Sequence, residues 1–217
     1  MEKQMSKSLI ALILVPLGLA VGQESKPVAL PSPQTTGGKP LMQVLKERKS
    51  VREFAPDAVS RQVLSNLLWA AWGINREDGR RTAPSASNRQ EIDVYVVMAD
   101  GSYVYDAKAN VLKPVAAGDL RKLAGTQPYV ADAPVNLVYV ADTAKLGGAD
   151  ADRLATANAD TGFIAQNVYL YCASEGLGTV VRGSVNRADL GTALNLRAEQ
   201  RIVLSQTVGY ARKSAAN

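Results

Sequence analysis

The stretch Arg48-Lys49-Ser50-Val51-Arg52-Glu53-Phe54 decides how the rest of the chain is read. Its three cations and one hydroxyl fall within five residues, where a short helical pattern gives way to an extended turn. A phosphate is held by charge-assisted donors at this density, and arginine grips it bidentately. The same residues equally suit a solvated basic turn with no ligand. The flanking sequence has to separate the two readings.

Upstream, Leu41, Val44 and Leu45 share one face, which predicts a short helix over Leu41–Arg48. Downstream, Ser60 is a good N-cap for a helix running to about Trp72, and Gly73 stops it. Ile92–Met98 reads as a strand from its β-branched and aromatic content, and Tyr103–Tyr105 with Val111–Val115 as a hairpin around Ala107–Asn110. Gly118–Ala124 suits a helical turn, and the continuous apolar run Val135–Ala141 a buried strand. The longest helical pattern is Asp152–Glu175, ended by Gly176 and Gly178. Thr179–Val181, Arg187–Leu194 and Ile202–Val208 follow as strand, helix and strand. Helices and strands mix without a regular βαβ repeat. The expectation is an α+β fold with a mostly antiparallel central sheet.

Composition narrows the chemistry. The chain has 217 residues, 47% hydrophobic and 21% charged, enough for one domain with its own core. Its net charge is +5, but no basic run carries interleaved aromatics, so nucleic acid is not an expected partner. There is no histidine, which excludes a Ser-His-Asp triad and nearly all zinc enzyme sites. A single cysteine, Cys172, makes neither an intrachain disulfide nor a thiolate metal site. No GxGxxG or GxxxxGK[ST] motif is present, which argues against Rossmann and P-loop sites. Redox chemistry would then need a bound cofactor.

Residues 1–22 read as a signal peptide: Lys3 and Lys7, then an apolar run from Leu9 to Val21, then small residues that place the cut after Gly22. The alternative is a membrane anchor, but the run is shorter than the ~20 apolar residues of a span and is interrupted by Pro16. The expected location is therefore outside the cytoplasm, in the periplasm. Residues 23–40 are Pro- and Gly-rich and aperiodic, an extended arm that either spaces the domain from the membrane or wraps a partner subunit. The main domain occupies residues 41–217.

Two further segments carry polar chemistry. Arg81–Gln90 is a loop of small polar residues leading straight into a strand, suited to a flat polar ring and equally to a plain connection. Glu175–Gly183 is glycine-rich, which permits close backbone approach. A helix cap accounts for its first glycines but not for Arg182-Gly183.

Together these segments resemble the FMN-dependent nitroreductase family. The resemblance rests on the R-x-S-x-R-x-F stretch Arg48–Phe54, the P-S-x-x-N-x-Q stretch Pro84–Gln90 and the closing Val208-Gly209-Tyr210. The opening from Leu30-Pro31 to Gly37-Gly38-Lys39-Pro40-Leu41 is similar to the SagB-type, thiazoline-oxidase-like branch. The resemblance implies a homodimer with FMN at the subunit interface. It assigns Arg48, Lys49 and Ser50 to the phosphate and ribityl chain, and Arg52 to the pyrimidine edge. Pro84, Ser85, Ala86 and Asn88 would approach the ring from the partner subunit. Arg182 and Gly183 would aim backbone N–H groups at N5, and Arg212 would close on the phosphate. The helices Ser60–Trp72 and Asp152–Glu175 would form the subunit contact. Where the family usually continues into Pro-Trp after the glutamine, this chain has Glu91-Ile92.

The implied activity is transfer of electrons in two half-reactions to a small electrophile such as a nitroaromatic or quinone. The donor would be NADH or NADPH, or, for an exported protein, a quinol or exported redox partner. Tyr103, Tyr105, Tyr129 and Glu175 are candidate proton donors. The alternatives are a SagB-like dehydrogenase acting on a peptide or natural-product ring, and a non-catalytic flavin or electron carrier.

Overall fold

The computed structural model describes residues 26–212, so the signal-peptide reading lies outside the described residues. Seven strands form one sheet: β1 (Val28–Ala29), β2 (Ile92–Met98), β3 (Gly101–Asp106), β4 (Val111–Ala117), β5 (Val135–Asp142), β6 (Leu177–Arg182) and β7 (Gln200–Tyr210). Their order is β1-β4-β3-β2-β5-β7-β6 and every pairing is antiparallel. The α+β expectation is met. The helices are α1 (Leu41–Glu47), α2 (Arg61–Trp72), α3 (Tyr129–Asp132), α4 (Asp150–Glu175) and α5 (Arg187–Ala193). The short α3 was not anticipated, and Gly118–Ala124 contributes a single 3-10 turn at Arg121–Leu123.

The central strand β5 shows why a continuous apolar run predicts a buried strand: all eight of its residues are buried. On one sheet face, Ile92, Val94 and Val96 meet Leu64, Leu67 and Leu68 of α2 and Ile164 and Val168 of α4. On the other, Tyr95, Val97 and Val138 meet Leu190 and Leu194. Strand alternation sends successive residues of β2 into different cores. The Ser60 hydroxyl accepts the Val63 N–H at 3.3 Å, as its N-cap reading requires. Gly176 closes α4 with φ of 73°, the left-handed conformation glycine adopts without strain.

Residues 26–40 pack along the described domain. Val28 and Ala29 pair with β4, the Leu30 N–H donates to Asn110 O at 3.1 Å, and Ser65 Oγ donates to Pro31 O. The chain then crosses α2 and α4, where the Lys39 N–H reaches Ser174 Oγ at 2.9 Å and its ammonium pairs with Glu47 at 2.6 Å. Helix α1 brings a different surprise. Only Val44 is buried, while Leu41, Met42 and Leu45 are 61%, 76% and 46% exposed. Its apolar face has no cover within the described chain.

Candidate functional site

Past α1 the backbone runs along the free edge of β6, held there by the Val51 N–H donating to Thr179 O at 2.9 Å. The approach is close because Gly178 has no side chain: a Cβ there would meet Val51 Cγ1 at 2.8 Å. The turn then pairs with the end of the last strand. Phe54 bridges to Ala211, and the Ala55 N–H donates to Tyr210 O at 2.8 Å. Gly209 of the Val208-Gly209-Tyr210 motif is needed for the same reason as Gly178, since a Cβ would strike Pro134 at 2.7 Å and crowd the Phe54 ring at 3.2 Å. Two of the sequence motifs are thus halves of one backbone junction.

Tyr169 of α4 organises the basic turn. Its phenol oxygen accepts the Val181 N–H at 3.0 Å and lies 2.8 Å from Ser50 Oγ, and the Arg48 guanidinium stacks 5.2 Å from its ring centroid. Ser50 and Arg48 are therefore oriented rather than loose. Sequence reading missed Tyr169 because one tyrosine on a long helix carries no local signal. Lys49 lines an adjoining cavity of about 420 Å³ with Val51, Tyr169, Cys172 and Thr179. Arg52 is exposed at the tip. The thiol of Cys172 is 1% exposed and burial pushes it far above the usual thiol range, which leaves it inert.

At the far end of β6, Gly183 is exposed and a Cβ there would meet nothing within 4 Å, so the backbone offers an open ledge. Arg182 points the other way, into the sheet. Its guanidinium donates to Ala124 O at 3.0 Å, Asn136 Oδ1 at 2.9 Å and Ser205 Oγ at 3.1 Å, and also to Thr207 Oγ1. It has no carboxylate partner among the described residues, and burial lowers its pKa to about 10. The Arg182 side chain is thus a core tie and its backbone pairs with Ser205 of β7, so the open ledge belongs to Gly183.

Other predicted residues are not brought to this place. Arg212 donates its N–H to Glu53 O at 3.0 Å, and its side chain lines a separate cavity with Phe54, Arg121 and Asp132. The loop of Pro84, Ser85, Ala86 and Asn88 is anchored by Ala86 N–H to Asp160 Oδ2 at 2.8 Å. Asp160 and Tyr169 share α4, along which they stand about 14 Å apart. Within one subunit the loop and the basic turn are therefore separate. Among the proton-donor candidates, Tyr103 and Tyr105 sit on β3, four strands from β6 and so about 19 Å away across the sheet. Glu175 lines a different cavity, beneath the arm. Tyr129 alone is near, 5.9 Å from the Phe54 ring and 6.0 Å from the Arg182 guanidinium.

The loop has features that composition did not announce. Ser87, Asn88 and Gln90 take φ of 51°, 53° and 48°, left-handed values that side-chain-bearing residues rarely adopt. Gln90 accepts from Arg81 Nε at 2.7 Å, and that arginine stacks on Trp72 at 4.8 Å.

The chain is similar to known proteins over most of its length. The chain is 31% identical over 168 residues to a protein of Methanocaldococcus jannaschii named as a nitroreductase, covering 72% of this chain and 85% of that one. A crystal structure from Ralstonia eutropha JMP134, described as a nitroreductase, superposes with a TM-score of 0.83 at 43% identity, covering 90% of this chain and 94% of that chain. A Desulfovibrio desulfuricans nitroreductase solved with FMN shares the fold with a TM-score of 0.60 at 23% identity, over 83% of this chain and 92% of that one. The Nitroreductase family model matches residues 45–210, from the last turn of α1 to the end of β7, and the chain belongs to that family.

Proposed function

We propose that this chain, an oxidoreductase by family, binds FMN and works as a homodimer that reduces small electrophiles such as nitroaromatics or quinones. The observation that carries the reading is the basic turn itself: Val51 docks its backbone on the β6 edge, Tyr169 orients Arg48 and Ser50, and the exposed Lys49 lies between them, on a ledge that ends at the open Gly183. These residues fit the cofactor. A phosphate dianion finds cations and a hydroxyl at one end, and a flat ring meets backbone without side chains at the other.

FMN, when bound, supplies hydride exchange at N5, drawing on NADH, NADPH or another reductant in one half-reaction and serving the acceptor in the other. Arg48 and Lys49 neutralise the phosphate charge. Arg52 presents a cation to the ring edge, where negative charge is favoured by a nearby donor.

Dimerisation is supported by two observations. Leu41 and Met42 on α1 and Phe163 on α4 (48% exposed) leave apolar surface uncovered. The Pro84–Asn88 loop lies away from its own basic turn, so a second subunit is the natural source of the ring's other wall. Export, with an electron donor outside the cytoplasm, is proposed from residues 1–22.

An anaerobic absorbance spectrum of the purified protein tests the core of the proposal. Bound yellow FMN, bleached by NADH or NADPH and restored by a nitroaromatic or quinone, is the expected result. Stable reduction without acceptor turnover favours an electron carrier, and turnover only with a modified peptide favours the ring-oxidising dehydrogenase. A colourless monomer that takes up no added FMN defeats the reading.

A further inference from the structure

The departure Glu91, where the family pattern usually turns to proline, has a structural consequence. Glu91 is 0% exposed, and neither carboxylate oxygen has a hydrogen-bond partner among the described residues. The group facing it is the carboxyl of Asp160 on α4, itself 4% exposed. Two carboxylates in contact and out of water repel strongly, whereas one proton between them makes a hydrogen bond. Burial, with the Asp160 carboxyl beside it, pushes Glu91 up to about 7.

Asp160 is also the residue that holds the neighbouring loop, accepting the Ala86 N–H at 2.8 Å. That loop carries the three left-handed residues Ser87, Asn88 and Gln90. Such backbone persists only where surrounding contacts over-determine it. Among the other charges nearby, Lys145 opposes the shift by favouring the ionised form of Glu91. Lys145 Nζ donates to Gln90 O at 3.1 Å, Arg89 Nη1 to Lys145 O at 2.9 Å, Asp142 pairs with Arg197 at 2.7 Å, and Arg153 lies 3.7 Å from Asp150. No ion pair among the described residues includes Glu91 or Asp160.

We propose that Glu91 and Asp160 share one proton, and that this proton pins the Pro84–Gln90 loop, making the pair a pH-responsive positioning clamp. When the proton leaves, two like charges face each other, Asp160 shifts from Ala86 and the strained loop relaxes. The clamp stands on the geometry of this subunit. Its effect on FMN rests on the reading that the loop walls a partner's flavin.

Hydrogen–deuterium exchange of the full protein without FMN, corrected for intrinsic exchange, tests the clamp between about pH 5.5 and 8.5. Protection of residues 84–90 should fall roughly tenfold across the window, the equivalent of one pKa unit. Glu91→Gln cannot lose a proton yet can donate to Asp160, so its loop should stay protected throughout. Asp160→Asn should flatten the profile in the same way and provides a second route if the first variant does not fold. A flat wild-type profile, or an unchanged profile in Glu91→Gln, overturns the clamp. FMN titrations over the same range separate the two readings. If FMN affinity falls as the loop loosens, both stand. If protection titrates while FMN affinity stays constant, the clamp stands and the placement of the loop at the flavin fails.

Discussion

The basic turn and the Pro84–Gln90 loop are both polar, both flank the same long helix, and are held by opposite means. Arg48–Arg52 is docked by backbone pairing and one tyrosine, with its cations left free toward solvent. The loop is held from beneath by the buried Asp160, which accepts the Ala86 N–H, and carries left-handed residues. On the proposed reading the turn would accept an anion with little rearrangement, because its backbone is already docked and Tyr169 already orients Arg48 and Ser50. The loop stores strain, and so is the part able to move. On the proposed reading, two such regions would divide the work of a cofactor site into a fixed grip and an adjustable wall.

The largest expected effect lies under the turn. Arg182→Ala strips partners from Asn136, Ser205 and Thr207 in the core and should cost about 3 kcal/mol, read as a lower urea midpoint. If stability is unchanged, the turn side is not the rigid half. Next, Arg48→Ala removes a charge-assisted contact and should weaken FMN binding by roughly 10- to 100-fold, with stability altered by less than about 0.5 kcal/mol. Fluorescence titration of apoprotein with FMN measures the first, and a melt the second.

The loop makes its own prediction in pH. Glu91 is raised in the folded state from 4.5 to about 7, so its protonated form is favoured by folding. The stability it contributes is complete below about pH 4.5, declines as pH rises through about 7, and is flat above that. Urea midpoints for wild type should show this decline, and Glu91→Gln should abolish it. A wild-type profile rising over that window would reverse the sign of the argument. Tyr169→Phe leaves the Val181 N–H without its partner and frees Ser50, for an expected loss of about 1–2 kcal/mol and a modest fall in FMN affinity. Smallest is Arg52→Ala. This residue is exposed, so stability and FMN affinity should hardly change, but potentiometry should find a lower midpoint potential for the bound flavin. Identical behaviour of the Arg48 and Arg52 variants would remove the division of labour within the turn.

Several elements were readable because their causes are local. Ser60 announces α2 through a hydroxyl aimed at Val63, Gly176 ends α4 through its left-handed φ, and β5 reads as buried because it is apolar along its whole length. Arg48, Lys49 and Ser50 stood out by charge density alone, which left an anion site and a solvated turn equally open. Arg182 was named for its backbone, and its side chain proved to be a tie between strands that lie far apart in the chain. Arg212 was named from its nearness to Tyr210, and the pairing of Ala55 with Tyr210 sends it to another cavity. Glu91 read only as a missing proline.

The order of residues alone determined the α+β class, the capped helices and the cationic turn, because these depend on periodicity, caps and charge within a few neighbours. Tertiary structure alone decided that Tyr169 orients Ser50, that Gly178 and Gly209 let Val51 and Phe54 dock, and that Glu91 meets Asp160 out of water. Each of these joins residues from different elements. The energy of such contacts comes from burial and mutual geometry, which no local pattern encodes.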